Sequence, residues 1–429
     1  MPRDTKLIIG LGVTGKSCVD FFTREKIKFK IFDTRKINPD TENFIRKIDS
    51  DIIRFSDYKD DFLDDIDEVV VSPGLDLDHK IFDYIKKNHI PMTTDIDIFK
   101  KYCSTPCISV TGTNGKTTVV TMLEFLLTKS SVKAIACGNN GIPPLSILTN
   151  NYDYIILELS SYQLEYMNNQ RTFISILTNV ADDHLERHET YDKYLSIKKK
   201  IFSDSQHKFC NLKIFNELNL DHKDIIGFEY NSGKGEFIIN DRAIESQYFL
   251  NYKFNGAHNY SNCLAALSVC DVIGLDRLRS IEIMSEFKYL PHRIELVKNS
   301  NDIKWFNDSK STNVSSTIAA LEYVNNNIIL IMGGANKNLD YSKLSPYIDA
   351  HAKLVILLGE NSSSLADQIS SQIDIKRVQT MTEAIQLASE NAIALDSVLL
   401  SPASPSFDMY KNFEERGIAF RQAVKELVK

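Results

Sequence analysis

The chain lacks most of the features that would place it in a membrane, outside the cell or on nucleic acid. No apolar run in its 429 residues reaches the roughly 18 needed to cross a bilayer. The charged opening "MPRDTK" is followed by no apolar core of a secretory signal. Seven cysteines, an odd number without a C-x-x-C pair, are the usage of a reducing compartment. A formal net charge of −7 gives no electrostatic case for nucleic acid or an anionic membrane surface. Internal repeats and low-complexity tracts are missing too. What is present, 43% apolar and 25% charged residues, is the balance of a soluble globular protein, expected in the cytoplasm. The length exceeds one ordinary core, so several domains are expected.

Short β-rich runs alternate with amphipathic stretches, which predicts parallel sheets covered by helices, an α/β protein. In residues 1–93 the runs are "KLIIG", "FKIFD", "DIIRF", "DEVVVSPG" and "IPMTT". A second unit, 94–289, opens with strand, glycine loop and helix in "CISVTGTNGKTTVVTMLEFLL" and continues through "DYIILELSS" and "TFISILTNV". Alternation with Asn, Gly and Asp turns between 228 and 254 predicts a small antiparallel insertion. A third unit, 290–429, carries "IKWFND", "NIILIMGG", "AKLVILLG", "DIKRVQ" and "DSVLLSPA", then the helical "KNFEERGIAFRQAVKELV". The expected architecture is three α/β domains: Rossmann-like, P-loop ATPase-like and again Rossmann-like.

Two glycine loops compete for a nucleotide. "GLGVTGKS", residues 10–17, satisfies the P-loop pattern through Lys16 and Ser17. It also satisfies the dinucleotide pattern G-x-G-x-x-G through Gly10, Gly12 and Gly15. Asp33 ends the next strand 18 residues after Gly15, where a dehydrogenase would hold a ribose hydroxyl. "VTGTNGKTT", residues 110–118, fails the strict P-loop pattern because Val110 replaces the first glycine. Its chemistry is sound nonetheless. Gly112 and Gly115 allow a tight backbone with N–H groups facing phosphate, Lys116 adds charge, Thr117 a hydroxyl for Mg²⁺, and the helix its dipole. Glu158 closes the apolar strand "DYIILE", which puts a carboxylate at a strand-end crevice; a solvated strand-end acid is the plain alternative.

"GTNGKTT" resembles the ATP loop of the Mur ligases and their folylpolyglutamate synthase relatives. These enzymes phosphorylate a carboxylate and let an amine attack it. Further matches follow in order: "ELSSYQLE" (158–165), "NVADDHLERH" (179–188), "GAHNYSN" (256–262), "LPHRIE" (290–295), "NDSKSTN" (307–313), "GGANK" (333–337) and "SPASPSFDMYKNFEERG" (401–417). "GLGVTGKS", "DTR" (33–35) and the last motif look most like the D-glutamate-adding branch of the Mur ligases. Folylpolyglutamate synthases share the central loop but lack a separate N-terminal α/β domain.

The resemblance implies ATP, UDP-N-acetylmuramoyl-L-alanine and D-glutamate as substrates, with no nucleic acid and no stable membrane association. A monomer suffices for this chemistry. ATP would lie on Gly112, Thr113, Asn114, Gly115, Lys116, Thr117 and Thr118, with Asn259, Asn262, Arg293 and Asp308 contributing. The UDP-sugar would lie on Val13, Thr14, Asp33, Thr34, Arg35, Ser72 and Gly74, with Asn139. Lys310, Thr312, Ser406 and Phe413 would hold the incoming amino acid, and Lys310 and Lys337 would meet the developing oxyanion and phosphate. Two Mg²⁺ sites are implied, one on Thr117 and Glu158 and a second on His184. A carbamate formed from CO₂ on Lys198 would support the second, with Lys199 the alternative position. Lys116, His184, Lys198, Lys310 and Lys337 form the implied catalytic set, and domain closure would complete it.

Other readings stand beside these. "KKK" from Lys198 reads on its face as a solvated basic helix end, and Asp183 and His188 beside His184 leave a transition-metal site open. Pro405 stands where a small residue is expected, and Asn336 replaces a glycine in "GGANK". An NAD-dependent dehydrogenase, another Mur ligase with a different amino acid, and a catalytically silent nucleotide-dependent binding protein are the competing functions. In the ligase reading Lys16 and Ser17 become ordinary first-turn helix residues.

Overall fold

The computed structural model describes residues 5–37, 39–58, 60–75, 79–218, 224–254, 256–288, 290–325, 327–336, 339–369 and 372–428. They form three sheets. The first contains β1 (Thr5–Ile9), β2 (Phe29–Asp33), β3 (Ile53–Phe55), β4 (Ile66–Val71) and β5 (Met92–Thr93) in the order β3-β2-β1-β4-β5. All its pairings are parallel. Leu7, Ile8 and Ile9 are buried in succession, as a strand covered on both faces requires. The strand order reverses at β1 and β4, and such a point opens a crevice at the carboxyl ends of the strands. The loop at 10–12 and the Ser72–Gly74 turn lie at that edge.

The second sheet holds β6 (Cys107–Thr111), β7 (Ala134–Gly138), β8 (Tyr154–Glu158), β9 (Thr172–Leu177), β10 (Ser205–Asn211), β11 (Ile225–Asn231), β12 (Glu236–Ile239) and β13 (Arg242–Ile244). Its order is β13-β12-β11-β10-β9-β6-β8-β7, so the switch falls at β6, whose end feeds the loop at 112–115. The helix Lys116–Lys129 then buries Val119, Val120, Leu123, Leu126 and Leu127 in the same core as Leu264 and Leu267. The antiparallel pairing expected at 228–254 is present: β12 turns back on β11 and β13 on β12, while β11 joins the segment to the main sheet by pairing in parallel with β10. Alternating residues record one covered face and carry no information on the neighbouring strand; Phe228 is buried in the central core with Phe209.

The third sheet joins β14 (Glu295–Ser300), β15 (Ile303–Asn307), β16 (Ile328–Met332), β17 (Ala352–Leu357), β18 (Asp374–Arg377) and β19 (Ser397–Leu400) in the order β14-β15-β19-β16-β17-β18. β14 was not among the expected strands. It is a half-exposed antiparallel edge of sequence "ELVKNS", with no apolar run to reveal it. The helix Phe413–Leu427 buries Phe420 and Val424 in the cluster that contains Trp305. All seven cysteines are free thiols. Among the described residues no helix is long and apolar enough to cross a membrane.

Candidate active site

In the first glycine loop the P-loop side chains are not presented to a ligand. Ser17 is buried, and Lys16 lies with its ammonium 5.3 Å from the Phe44 ring centre. Gly15 is needed for packing: a Cβ there would stand 1.8 Å from the Gly10 carbonyl oxygen. Asp33 accepts the Leu11 N–H at 2.7 Å and the Arg35 guanidinium at 3.0 and 2.8 Å. Burial alone would raise its pKa, but these hydrogen bonds from Arg35 and Leu11 hold it below the ordinary carboxylate value. Both oxygens are thus engaged, which leaves the dehydrogenase reading without its ribose acceptor. Val13 and Arg35 are exposed at this edge, Thr34 is half-buried, and Ser72 approaches the Gly10 carbonyl at 3.4 Å.

The second loop is held from below. The Asn114 N–H donates to Asn179 Oδ1 at 2.9 Å, while Thr178 Oγ1 and Asn179 Nδ2 each donate to the Asn114 carbonyl at 2.8 Å. Gly115 has φ of 83°, and a Cβ there would meet Asn262 Oδ1 at 2.2 Å. As N-cap of the helix Lys116–Lys129 it supplies no side-chain acceptor, so the first-turn N–H groups remain for a ligand. Residues 113–118 line a cavity of about 1050 Å³ that Asn139, Glu158, His184, Asn259 and Asn262 also line. Arg293, Asp308, Lys310 and Thr312 reach the same cavity from beyond residue 290.

Glu158 is 1% exposed; its Oε1 accepts from Asn139 Nδ2 at 2.8 Å, and its Oε2 has no hydrogen-bond partner among the described residues. It is therefore no solvated strand-end acid. A buried carboxylate oxygen left bare beside the Thr117 hydroxyl's helix fits Mg²⁺, which takes one or two carboxylates and keeps the rest for water and phosphate. His184 has φ of 56°, bonds Tyr162 Oη through Nδ1 at 3.0 Å, and sets Nε2 3.6 Å from Asp183 Oδ2. His188 instead is buried against Ser161 and stacked on Tyr194, and burial pushes its pKa down to about 4. No group of three or more His, Cys, Asp or Glu among the described residues could hold a metal ion, so the transition-metal reading is corrected.

The "KKK" run is no solvated helix end. Lys198 is 1% exposed and donates to the Gly112 carbonyl at 2.8 Å, the same oxygen that Lys116 reaches at 2.8 Å. Burial and the Lys116 charge drive the Lys198 pKa well below the ordinary lysine value, with Asp183 opposing. Lys199 turns away to the Leu218 carbonyl and Lys200 to that of Glu165. Lys198 alone of the three faces the glycine loop.

From the C-terminal side, burial pushes the Asp308 pKa up to about 7, although Ser311, Ser401 and the Ile294 N–H bond it. Lys310 sits 3.9 Å from the Phe413 ring centre, and burial together with Arg293 lowers its pKa to about 8. Arg293 is itself lowered by burial, with Glu158 and Asp308 opposing. Arg416 pins the 404–405 loop, next to Ser406, by donating to the Ser404, Pro405 and Ser309 carbonyls. Pro405 keeps its carbonyl on the Ala335 N–H at 3.0 Å, and the Asn336 N–H reaches Glu360. Lys337 lies outside the described residues. Sequence reasoning passed over Asn179, Tyr162 and Tyr194, which hold the loop, His184 and Thr113 in place. Asn179 and Tyr162 stand inside quoted motifs, the one signal that could have found them, and Tyr194 lies between two.

Three family models match in chain order: the Mur ligase MurD-like N-terminal domain over residues 4–94, the Mur ligase middle domain over 110–270, and the Mur ligase glutamate ligase domain over 292–404. The chain belongs to the Mur ligase family. It is, as such, an ATP-dependent ligase that forms amide bonds. A UDP-N-acetylmuramoylalanine–D-glutamate ligase of Nitrosococcus oceani is 34% identical over 99% of this chain and 97% of its own length. The enzyme of that name from Escherichia coli K12 is 32% identical over 98% of both chains. Among solved structures, a pseudomurein peptide ligase type C from Methanothermus fervidus superposes with a TM-score of 0.63 at 17% identity, covering 99% of this Mur ligase and all of its own chain (100%). The Mur ligase fold is common to both.

Proposed function

We propose that this ligase adds D-glutamate to UDP-N-acetylmuramoyl-L-alanine in peptidoglycan precursor synthesis, using ATP and releasing ADP and phosphate. The observation that carries the reading is one cavity lined together by the glycine loop, by Lys310 and by Glu158, whose Oε2 has no hydrogen-bond partner among the described residues. The substrate assignment rests on the full-length relatives of that name. We assign the three units to 1–93, 94–289 and 290–429, for UDP-sugar, ATP and amino acid.

The γ-phosphoryl group of ATP moves to the substrate carboxylate, and the amine of D-glutamate attacks the acyl phosphate through a tetrahedral intermediate. The nucleophile of the first step is already an anion, so charge neutralisation and positioning suffice. Lys116 and the first-turn N–H groups of the helix take the phosphates; Asn259, Asn262, Arg293 and Asp308 border the rest of the nucleotide. Thr117, Glu158 and His184 would hold Mg²⁺, which when bound supplies charge neutralisation at the phosphates. Lys198 as a carbamate would present an anion at the base of the glycine loop, in support of the second metal site. CO₂ adds only to a neutral amine, an ordinary lysine is neutral roughly once in 10³ at pH 7, and the depressed pKa of Lys198 favours the addition. Lys310 faces the developing oxyanion while Thr312, Ser406 and Phe413 border the amino acid; the exposed Arg35 with Val13, Thr14, Thr34, Ser72 and Gly74 receives the UDP group, and buried Asp33 shapes that edge.

Phosphate release tests the proposal. It should require UDP-N-acetylmuramoyl-L-alanine and D-glutamate together, and release with neither would sink it. A panel of other amino acids in place of D-glutamate separates it from a Mur ligase of different specificity. Lys198→Ala should lose turnover and regain part of it with a short carboxylate; rescue seen at Lys199→Ala instead would move the carbamate.

A further inference from the structure

We propose that Asn313 is a positioning residue that locks the C-terminal unit onto the ATP loop and onto Asp183 beside His184; this rests on the ligase reading above. Asn313 is 3% exposed and stands at the N-cap of the helix Val314–Val324. Its Oδ1 accepts the Ser316 N–H at 2.9 Å and the Ser315 hydroxyl at 3.1 Å. Capping needs only this acceptor, which Ser, Thr and Asp supply as well. An asparagine carries two further amide hydrogens, and here both leave the helix for the middle unit.

The Asn313 amide donates to Asn114 Oδ1 at 3.2 Å and to Asp183 Oδ2 at 3.1 Å. Asn114 returns its own amide to Ser315 Oγ at 2.9 Å. Asp183 uses its other oxygen to accept the His184 N–H at 3.0 Å. The capping bond fixes which end of the Asn313 amide is oxygen, so the donor end must point at Asp183. One side chain therefore joins three things: the start of the helix that follows Lys310 and Thr312, the tip of the ATP loop, and the carboxylate that abuts His184. No other residue type with this reach offers an acceptor to the cap and two donors to the partner. Aspartate would cap the helix equally well while setting a second carboxylate against that of Asp183. Serine would cap and reach neither partner.

Steady-state phosphate release and thermal unfolding of the full chain separate this role from a structural one. Asn313→Ser and Asn313→Asp both keep the cap, so the helix stays folded and Tm should fall only by the lost seam bonds, by several °C and further in Asn313→Asp. Their kcat should fall at least about tenfold, more for Asn313→Asp than for Asn313→Ser, with KM for ATP within about twofold. The exchanged pair Asn313→Asp with Asp183→Asn again sets a donor against an acceptor and should recover part of the kcat lost in Asn313→Asp. Wild-type kcat in both single variants, or a kcat loss that the exchanged pair leaves untouched, overturns the proposal. A wild-type enzyme that fails to turn over with both substrates defeats the ligase reading instead.

Discussion

Lys16 and Lys116 occupy the same position in two glycine loops, and their surroundings give them opposite fates. Lys16 rests on Phe44 beside a buried Ser17, whereas Lys116 lines the cavity and is held by the Gly112 and Thr113 carbonyls at 2.8 and 2.9 Å. Lys116→Ala should lose at least about 10³ in kcat, the scale of removing a main charge stabiliser, while Lys16→Ala keeps most activity. Parallel phosphate-release assays check this, and the reverse order would return ATP to the first loop. Lys310 adds a pH prediction. Its ammonium is the form that steadies a developing oxyanion, and it loses its proton near pH 8. The free-enzyme profile of kcat/KM should therefore fall as pH rises through about 8. Lys310→Arg, charged throughout, should remove that limb; a limb that persists in this variant assigns it to another group.

Among the elements, the strand–loop–helix units were legible in the sequence because their apolar runs and glycines are contiguous. Cys107–Thr111 and Tyr154–Glu158 are buried along nearly their whole length, and such strands declare themselves. Two other strands did not. Glu295–Ser300 alternates weakly, and Ile225–Asn231 gave its alternation without its partner, because pairing between distant segments leaves no local trace. The site divided in the same way. Glycines and charged groups inside motifs could be read, but the burial of Lys198 and the engagement of Asp33 depend on residues far along the chain. The contact of Gly115 with Asn262 gives a prediction for the loop as a unit. Gly115→Ala must adopt a φ near 83° and meet Asn262 Oδ1, so it should destabilise by about 1–3 kcal/mol and raise KM for ATP. Denaturant unfolding and ATP titration measure both; an unchanged KM would detach this turn from the nucleotide.

Across the whole molecule, polar contacts join the middle and C-terminal sheets at the cavity rim. The ion pair of Lys343 with Asp182 is exposed, and its loss in Lys343→Ala should change stability by less than about 1 kcal/mol. The buried contacts from Asn114 and Asn313 are of another kind, since each partner would be left with unmet hydrogen bonds in low dielectric. ATP with Mg²⁺ touches both sides of this seam in the proposed assignment. It should raise Tm in a concentration-dependent way, and EDTA should remove both that shift and turnover. Differential scanning fluorimetry checks the first; stabilisation by ATP that is unaltered by EDTA would take the metal out of the site.

The carbonyl oxygen of Gly112 receives the Nζ of two lysines, and this sharing has a thermodynamic consequence. Burial and, after it, the charge of Lys116 lower the proton affinity of Lys198. Free-energy linkage is reciprocal: whatever the protonation or modification of Lys198 does to the affinity of the loop for an anion, the anion does in equal measure to Lys198. A proton-uptake measurement during nucleotide titration and a nucleotide titration at varied pH are then one experiment done twice. The loop is a joint between two equilibria, and neither lysine can be assigned a proton affinity without stating what the other is holding.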